Sequence, residues 1–234
     1  LALEYQDIMS LPYTGDERSF LSSIIDSSFS LSATALQNFL DVTSWGPSAF
    51  LSNNILRFPQ AKSTAASYGT AMHKALEDFF RDYKMKWSYK KDILFTSFEK
   101  KIRDEGLGWD EEKDMLARGQ ANLEKLYDKI TKTSYGEIHL EHRFNDVYLG
   151  DIKITWAIDR IELTREGKLI VTDYKTGGGF SSLEGGSGYE AVKKWKYRLQ
   201  LTFYALLFSL SPRWQSMQDR EYRLLFIEED QDTW

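Results

Sequence analysis

The sequence predicts an α/β domain in which a mixed central β-sheet is flanked by α-helices. The main observation is a change of pattern along the chain. Apolar residues first recur with helical spacing, then three consecutive segments are rich in Ile, Val, Thr, Trp and Tyr, and a long helical pattern and one more strand follow. The order is α–β–β–β–α–β. Hydrophobic residues make up 42% and charged residues 28% of the chain, which excludes collagen-like and fully disordered proteins.

Four helices are predicted from the spacing of their apolar residues. The first begins at Ser32, after a Ser-rich segment, 1–31, that is predicted to connect the domain to a preceding one. Thr70, directly after a glycine, is predicted to be the N-cap of the second helix. The helices cover residues from 32 up to the break at Gly46–Pro47, then 70–86, 110–132 and 190–210.

Four strands are predicted from runs of β-branched and aromatic residues. Arg165–Lys168 separates two of them and is a hairpin turn signal. Residues 177–188 contain six glycines and are predicted to be a mobile loop. This loop lacks the Gly-Lys-Ser/Thr ending of a phosphate-binding P-loop, so it carries no nucleotide signature. The strands cover residues 137–145, 152–163, 168–175 and 222–227.

Composition excludes several kinds of site. The chain has no cysteine, so disulfides, thiolate zinc sites, iron–sulfur clusters and a cysteine nucleophile are all ruled out. The net charge of −5 means that any nucleic-acid surface must be local. Apolar stretches fall well short of about 20 residues, so no membrane span is predicted. We expect a cytoplasmic chain that is part of a longer polypeptide.

An Asp-x-Lys pattern at the end of a buried-type strand is the first chemical candidate. Asp173 and Lys175 are two residues apart on a strand, so their side chains point to the same face at the rim of the sheet. The pattern also occurs at Asp82–Lys84, inside a predicted helix, and at Asp151–Lys153, at the start of a strand. Chance supplies roughly one such pattern in a chain of this length, so the neighbouring residues must decide.

Asp159 distinguishes the Asp173–Lys175 pattern from the other two. It lies near the end of the preceding strand, and the hairpin folds it back towards Asp173. Two bare carboxylates repel each other, and a hard divalent cation such as Mg²⁺ or Mn²⁺ removes that penalty. The structural alternative is a salt bridge from Asp159 to Arg160 or to a nearby lysine.

Three further polar residues have a structural and a functional interpretation. His73, at the edge of an apolar helical stripe, is either a core histidine or a metal ligand. Gln200 and Tyr204 share a face of the last helix and are either packed polar groups or part of a site.

His139 and His142 are predicted to point to opposite faces of a strand, which argues against a joint zinc site.

Two segments interleave positive charge with aromatic residues, a pattern that suits phosphate contacts combined with base stacking. The alternative is an ordinary solvated helix end. The segments are Lys84–Lys91 and 193–198, the second with Lys193, Lys194, Lys196 and Arg198 as its candidate DNA contacts.

Taken in order, four motifs resemble the RecB-type branch of the PD-(D/E)xK nuclease superfamily. The resemblance covers about residues 32–227 and implies a restriction-endonuclease-like core, with the nuclease domain spanning 32–234. It also implies a metal-dependent deoxyribonuclease that works beside a helicase domain, of the same or a partner chain, in DNA repair or recombination. The motifs are Gly69-x-x-x-His73, Ile158-Asp159-Arg160-Ile161, Asp173-Tyr174-Lys175-Thr176-Gly177 and Gln200-x-x-x-Tyr204.

The resemblance also implies residue roles. His73, Asp159 and Asp173 would bind Mg²⁺ or Mn²⁺ together with the Tyr174 carbonyl, and Lys175 would be the catalytic lysine. Asp159 and Asp173 would thereby also be catalytic, and Gln200 and Tyr204 would support the site and the DNA strand. Many relatives carry four cysteines for an iron–sulfur cluster, so this chain resembles the cluster-free subset.

A further departure from the family pattern is Trp156, which stands where a small glycine commonly precedes the Ile-Asp-Arg motif. The bulky indole could narrow the approach of DNA.

Two alternatives stay open. The domain could be a non-catalytic nucleic-acid-binding module that guides a strand for a helicase. A nuclease could also use Asp151 and Lys153, with Glu137 or Glu141 as the earlier carboxylate. Exonucleolytic and endonucleolytic cutting, and DNA and RNA, fit these residues equally, although an exonuclease acting on single-stranded or unwound DNA is the expectation.

Overall fold

The computed structural model describes residues 16–133, 135–180 and 182–228. Short 3₁₀ and π-helical turns, Val42–Ser44 and Leu51–Ile55, accompany the regular elements. The α-helices are α1 (Glu17–Ser28), α2 (Ala33–Leu40), α3 (Gly46–Phe50), α4 (Thr64–Lys86), α5 (Lys91–Asp104), α6 (Trp109–Ile130) and α7 (Gly188–Leu210). The strands are β1 (Glu137–Leu149), β2 (Ile152–Leu163), β3 (Leu169–Lys175) and β4 (Arg220–Phe226).

The four strands form one mixed sheet in the order β1-β2-β3-β4. The first three are antiparallel neighbours joined by tight turns, and β4 lies parallel to β3 after the crossover through α7. A parallel pair needs such a crossover, since a hairpin can join only antiparallel strands. The predicted class, a mixed sheet flanked by helices, and the predicted order of elements are confirmed.

The core lies on both faces of the sheet. On one face, α4, α5 and α6 pack their apolar stripes around residues such as Met72, Phe98 and Leu123, together with Tyr174 from β3. On the other face, Phe203 and Leu207 of α7 and other α7 residues pack against β2 and β3. Strand β3 is buried along nearly its whole length, as is typical of a strand covered on both faces. The residues at its carboxyl end are therefore held on a rigid element.

The start of the second predicted helix was wrong by six residues. Helix α4 begins at Thr64, and its N-cap is Ser63, whose hydroxyl accepts a hydrogen bond from the Ala66 amide at 3.2 Å. The Thr70 hydroxyl instead donates to the Ala66 carbonyl within the helix, at 2.8 Å. Ser63 satisfies an amide that the helix start would otherwise leave unpaired, and Thr70 meets no such need.

Helix α5 was not predicted at all. Its buried residues, Leu94, Phe98 and Ile102, are spaced by four and pack onto the core that includes α4 and α6. The i, i+4 spacing was the signal for this helix.

The segment predicted as a connector contains α1, and residues 1–15 lie outside the described part of the chain. The boundary of the domain at residue 32 stays a prediction. Just before α2, Leu31 exchanges backbone hydrogen bonds with Lys153 and Thr155 of β2, which anchors α2 beside the sheet. None of the helices that the structure describes is both long and apolar enough to cross a membrane.

Candidate metal centre and catalytic site

The β2–β3 hairpin brings Asp159 and Asp173 to neighbouring positions. Arg160 pairs with Thr172, so the next residues outward, Asp159 and Asp173, lie opposite each other. The backbone amide of Tyr174 donates a 2.7 Å hydrogen bond to Asp159 Oδ2, which fixes this carboxylate against β3. Arg160 forms no salt bridge to Asp159, and its guanidinium lies 4.7 Å from the ring centroid of Phe80.

His73 reaches Asp159 from helix α4. Its Nδ1 lies 3.3 Å from Asp159 Oδ1, and its Nε2 lies 3.0 Å from the Tyr174 carbonyl oxygen. Burial lowers the pKa of His73, but the hydrogen bond and the charge of Asp159 outweigh it and raise the pKa to about 9. The imidazole therefore contacts the Asp159 carboxylate and the Tyr174 carbonyl, two of the groups that were predicted to bind a metal together with it.

Glu141 of β1 joins this group, and the sequence analysis did not place it there. Ligand atoms of His73, Glu141 and Asp159 all lie within 4.8 Å of one another, and they form the one such cluster found among the described residues. Burial and the charges of Asp159 and Glu77 raise the pKa of Glu141 to about 7. Glu141 was named only as a possible carboxylate for the Asp151–Lys153 pattern. Its neighbours Leu140 and His142 pair with Arg160 and Ile158, the two neighbours of Asp159, and this register was the missed signal.

These residues fit a hard divalent cation. Two carboxylates, a backbone carbonyl and one imidazole are the donors available, and Mg²⁺ and Mn²⁺ prefer oxygen ligands with an occasional imidazole. Asp173 lies outside the cluster, but its Oδ2 is buried and accepts no well-directed hydrogen bond. A buried carboxylate oxygen without a donor is costly unless a cation faces it. Here the neighbouring cation is the Lys175 ammonium, 2.7 Å away.

Asp173 and Lys175 are held by a network from α7. Gln200 Nε2 donates to Asp173 Oδ1 at 2.9 Å, and Lys175 Nζ donates to Gln200 Oε1 at 3.0 Å. The Tyr204 hydroxyl donates to the same Asp173 oxygen at 2.5 Å and accepts from Trp156 Nε1 at 2.9 Å. Hydrogen bonds therefore join two residues of α7, Gln200 and Tyr204, to Asp173 and Lys175 in one unit.

The predicted opposite orientation of His139 and His142 was wrong. Their ring centroids lie 6.3 Å apart, and both rings pack edge-on against Trp214. The cause is Glu141, whose φ of +47° is left-handed and breaks the alternation of side chains along β1. Glu141, the residue with this left-handed backbone, is also the residue that lies beside Asp159.

The basic residues of α7 differ in their surroundings. Lys194 is buried, and its ammonium pairs with Glu190 at 2.7 Å. Lys196 pairs with Asp41 at 2.6 Å, and Lys193 contacts the Gly178 carbonyl at 3.3 Å. Arg198 is exposed. Their assignment to DNA binding stays a prediction, and the structure favours Lys193 and Arg198 as the more available cations.

A cavity of about 320 Å³ adjoins Lys175 and Gln200 of this hydrogen-bonded unit. It is lined by Thr34, Gln37, Trp156, Lys175, Lys193, Lys196, Tyr197 and Gln200. A larger cavity of about 550 Å³ has Arg160, Glu162 and Thr172 in its wall. The three candidate metal ligands, His73, Glu141 and Asp159, are not among its lining residues. Of these two cavities, the smaller one is therefore in contact with the candidate site.

The other strand-borne Asp-x-Lys pattern stands apart from this constellation. Asp151 is exposed in the β1–β2 turn, and Lys153 Nζ lies 3.8 Å from Asp146. Of the two carboxylates in that alternative, Glu137 contacts His139 at 3.1 Å and Glu141 lies with His73 and Asp159.

Comparison with known proteins assigns the family. A search of curated proteins finds no match. The family model of the PD-(D/E)XK nuclease superfamily matches residues 30–232, which is most of the chain and includes all four motifs. With that match over most of the chain, and with Asp159 on β2 and Asp173 and Lys175 on β3 of the mixed sheet, the chain belongs to the PD-(D/E)XK nuclease superfamily.

Proposed function

We propose that this protein hydrolyses phosphodiester bonds in DNA with the help of Mg²⁺ or Mn²⁺. One observation carries the proposal: the His73–Glu141–Asp159 cluster lies beside the ion pair of buried Asp173 and partly exposed Lys175 at the end of β3. An ion pair that only stabilises the fold does not need three potential metal-binding side chains beside it. The proposal includes no iron–sulfur cluster, since the chain has no cysteine.

Each residue has a role that follows from its contacts. His73, Asp159 and the Tyr174 carbonyl would hold the cation, with Asp173 and Glu141 as further oxygen donors. When bound, the cation polarises the scissile phosphate and lowers the pKa of a coordinated water. Lys175 places a positive charge where negative charge develops on the phosphate oxygens.

Gln200 and Tyr204 are positioning residues. Both donate hydrogen bonds to Asp173 Oδ1, and the Gln200 carbonyl oxygen holds the Lys175 ammonium. A carboxylate fixed in this way loses little freedom when the cation and the phosphate bind.

The wider role follows from the resemblance of the motifs to RecB-type domains. We assign the chain to DNA repair or recombination, as an exonuclease module beside a helicase domain of the same or a partner chain. The exposed Arg198 and the Lys193 ammonium next to the cavity support an approach of the strand along α7.

The test is cleavage of labelled single-stranded and duplex DNA in Mg²⁺, Mn²⁺ or EDTA. We expect cutting in either metal, none in EDTA, and a loss of at least a hundredfold in Asp173→Asn and in Lys175→Ala. Asp151→Asn and Lys153→Ala are matched controls, because they change the same residue types in the exposed β1–β2 turn region. We expect them to cut normally.

The competing function is a binding module without catalysis, and the basic and aromatic lining of the 320 Å³ cavity is the feature that favours it. Binding of DNA without cutting in every metal would establish that function and refute ours. Cutting that survives in Asp173→Asn but disappears in Asp151→Asn would move the site to the other Asp-x-Lys pattern.

A further inference from the structure

We infer that the 320 Å³ cavity beside Lys175 is a subsite for one unpaired nucleotide of the strand being cut, with Trp156 as the surface on which its base stacks. This inference rests on the proposed function, because it names the form of nucleic acid that the catalytic site accepts.

The position of the cavity ties it to the chemistry. Lys175 and Gln200 are part of its wall, and both also belong to the network around Asp173. A group bound in this cavity is therefore next to the ammonium that we place on the scissile phosphate. The cavity lies at the lower end of the roughly 300–1,000 Å³ range of small-molecule pockets, a size that suits one nucleotide and not two paired strands.

The lining has the two chemical features that a nucleotide needs. Trp156 and Tyr197 supply aromatic surfaces, and Lys175, Lys193 and Lys196 supply ammonium groups. No carboxylate is among the eight lining residues, so nothing in the wall repels a phosphate. Aromatic rings combined with cations are the usual means of binding a single strand without reading its sequence.

Trp156 is held in place before any ligand arrives. Its indole Nε1 donates to the Tyr204 hydroxyl at 2.9 Å, and that hydroxyl donates to Asp173. The indole is partly exposed, so it can meet a base while its nitrogen stays bonded. Because its orientation is fixed, little side-chain entropy is lost when a base stacks on it.

The part of the wall that α2 supplies is also fixed by the fold. Thr34 and Gln37 come from α2, and Gln37 Nε2 donates to the Lys196 carbonyl at 2.7 Å. The buried Asp41, just after α2, pairs with the Lys196 ammonium at 2.6 Å. Since this carboxylate partly neutralises Lys196, we expect Lys193 to contribute more than Lys196 to phosphate binding.

Stacking on Trp156 selects an unpaired nucleotide. In a duplex, both faces of each base are covered by its neighbours, so a base can reach an aromatic ring only after it leaves the stack. The free-energy cost of unstacking a base is higher in a duplex than in a single strand. The indole therefore favours single strands and frayed ends over paired DNA.

The experiment measures binding separately from cutting. The full chain is titrated in Ca²⁺ with a short single strand that carries one 2-aminopurine, and with the same strand in a blunt duplex. Fluorescence quenching reports stacking, anisotropy reports affinity, and a gel shows that the strand stays intact. For the wild-type chain we expect quenching and tight binding with the single strand only.

Trp156→Leu should weaken single-strand binding about tenfold or more and abolish the quenching, while weak duplex binding is unchanged. Trp109→Leu is the matched control, since Trp109 is 75% exposed at the start of α6, and it should bind as wild type. Trp156→Phe keeps an aromatic face but loses the bond to Tyr204, so it should retain the quenching and most of the affinity. If Trp156→Leu does not fold, a loss of quenching in Trp156→Phe would overturn the inference.

Several outcomes would overturn the inference. They are a wild-type chain that binds both DNA forms equally or neither, unchanged binding in Trp156→Leu, and equal losses in Trp156→Phe and Trp156→Leu. If the chain shows the predicted binding but cuts DNA in no metal, the proposed nuclease function fails and the subsite stands. If it cuts DNA but Trp156→Leu binds as wild type, the subsite fails and the function stands.

Discussion

The hydroxyl of Tyr204 donates a 2.5 Å hydrogen bond to Oδ1 of Asp173, and both side chains are buried. Burial and the charge of Asp173 raise the pKa of Tyr204 well above its ordinary value, so the phenol stays protonated and remains a donor. Burial also raises the pKa of Asp173, whereas the adjacent Lys175 ammonium opposes that rise. The tyrosine therefore orients the Asp173 carboxylate without carrying a charge of its own.

Tyr204→Phe removes this hydrogen bond and keeps the ring in the core. We expect kcat to fall about ten- to a hundredfold, because a hydrogen bond to a charged group contributes about 1.5–3 kcal/mol. Steady-state cleavage in Mn²⁺ measures this, and circular dichroism confirms the fold. Tyr148→Phe, at a half-exposed position on β1, is the control and should keep wild-type activity. Wild-type kcat in Tyr204→Phe would show that Asp173 does not need the hydrogen bond from Tyr204.

Glu141→Gln tests whether the residue that the sequence analysis missed helps to hold the cation. Removing one carboxylate from the group with His73 and Asp159 should weaken Mn²⁺ binding by about ten- to a hundredfold. Titration calorimetry with Mn²⁺ alone provides the measurement. Glu137→Gln, four residues earlier on the same strand and 60% exposed, should bind Mn²⁺ normally. Equal affinity in both variants would remove Glu141 from the site.

Glu105 predicts a pH dependence of stability. Hydrogen bonds from Lys101 and Lys62, aided by Ser67, lower its pKa to about 2 against the effect of burial. A depressed pKa in the folded state stabilises the protein above the ordinary value of about 4.3, and this contribution is lost as pH falls through 2. Glu105→Gln should therefore lower the free energy of unfolding by about 1 kcal/mol at pH 7, after screening at a partly solvated site.

Urea unfolding at a series of pH values measures this difference. It should shrink below pH 4 and vanish below pH 2, where the wild-type carboxylate is protonated in the folded state as well. A difference that stays constant with pH would mean that the glutamate acts through packing and not through its charge.

Gly119→Ala tests the packing of α6 on α5. A Cβ at this position would lie 2.0 Å from Cζ of Phe98, whose ring is fully buried. Overpacking costs about 1–3 kcal/mol, against a gain of about 1 kcal/mol in helix propensity, so we expect a net loss of about 1–2 kcal/mol in urea unfolding. Phe98→Leu should cost less in the Gly119→Ala background than in the wild type. Equal costs in the two backgrounds would contradict the close contact.

Much of the fold followed from local patterns. The strand ending at Lys175 and the long helix α7 were predicted because their periodicity is continuous, and β2 was predicted to the residue. Helix α5 was not predicted because its apolar residues are separated by lysines and other polar residues. Its stability therefore depends on tertiary packing more than on intrinsic helix propensity. Ser63 was missed as an N-cap because no apolar residue begins the stripe directly after it.

The site was predictable to the extent that it is built from motifs. His73, Asp159, Asp173 and Lys175 lie in short patterns whose order carries the information. Glu141 depends on a left-handed backbone at one residue of β1, which inverts the alternation that sequence reasoning assumes. The contact of Trp156 with Tyr204 joins residues 48 apart, and only the assembled sheet and helix reveal it.

The central claim is that one cation lies between His73 and Asp159. A crystal of the wild-type chain soaked in Mn²⁺ tests it most directly, through the anomalous signal of the metal. We predict a peak within coordination distance of the His73 imidazole, the Asp159 carboxylate and the Tyr174 carbonyl. A fully occupied peak elsewhere, or none in an intact and accessible site, would contradict the account.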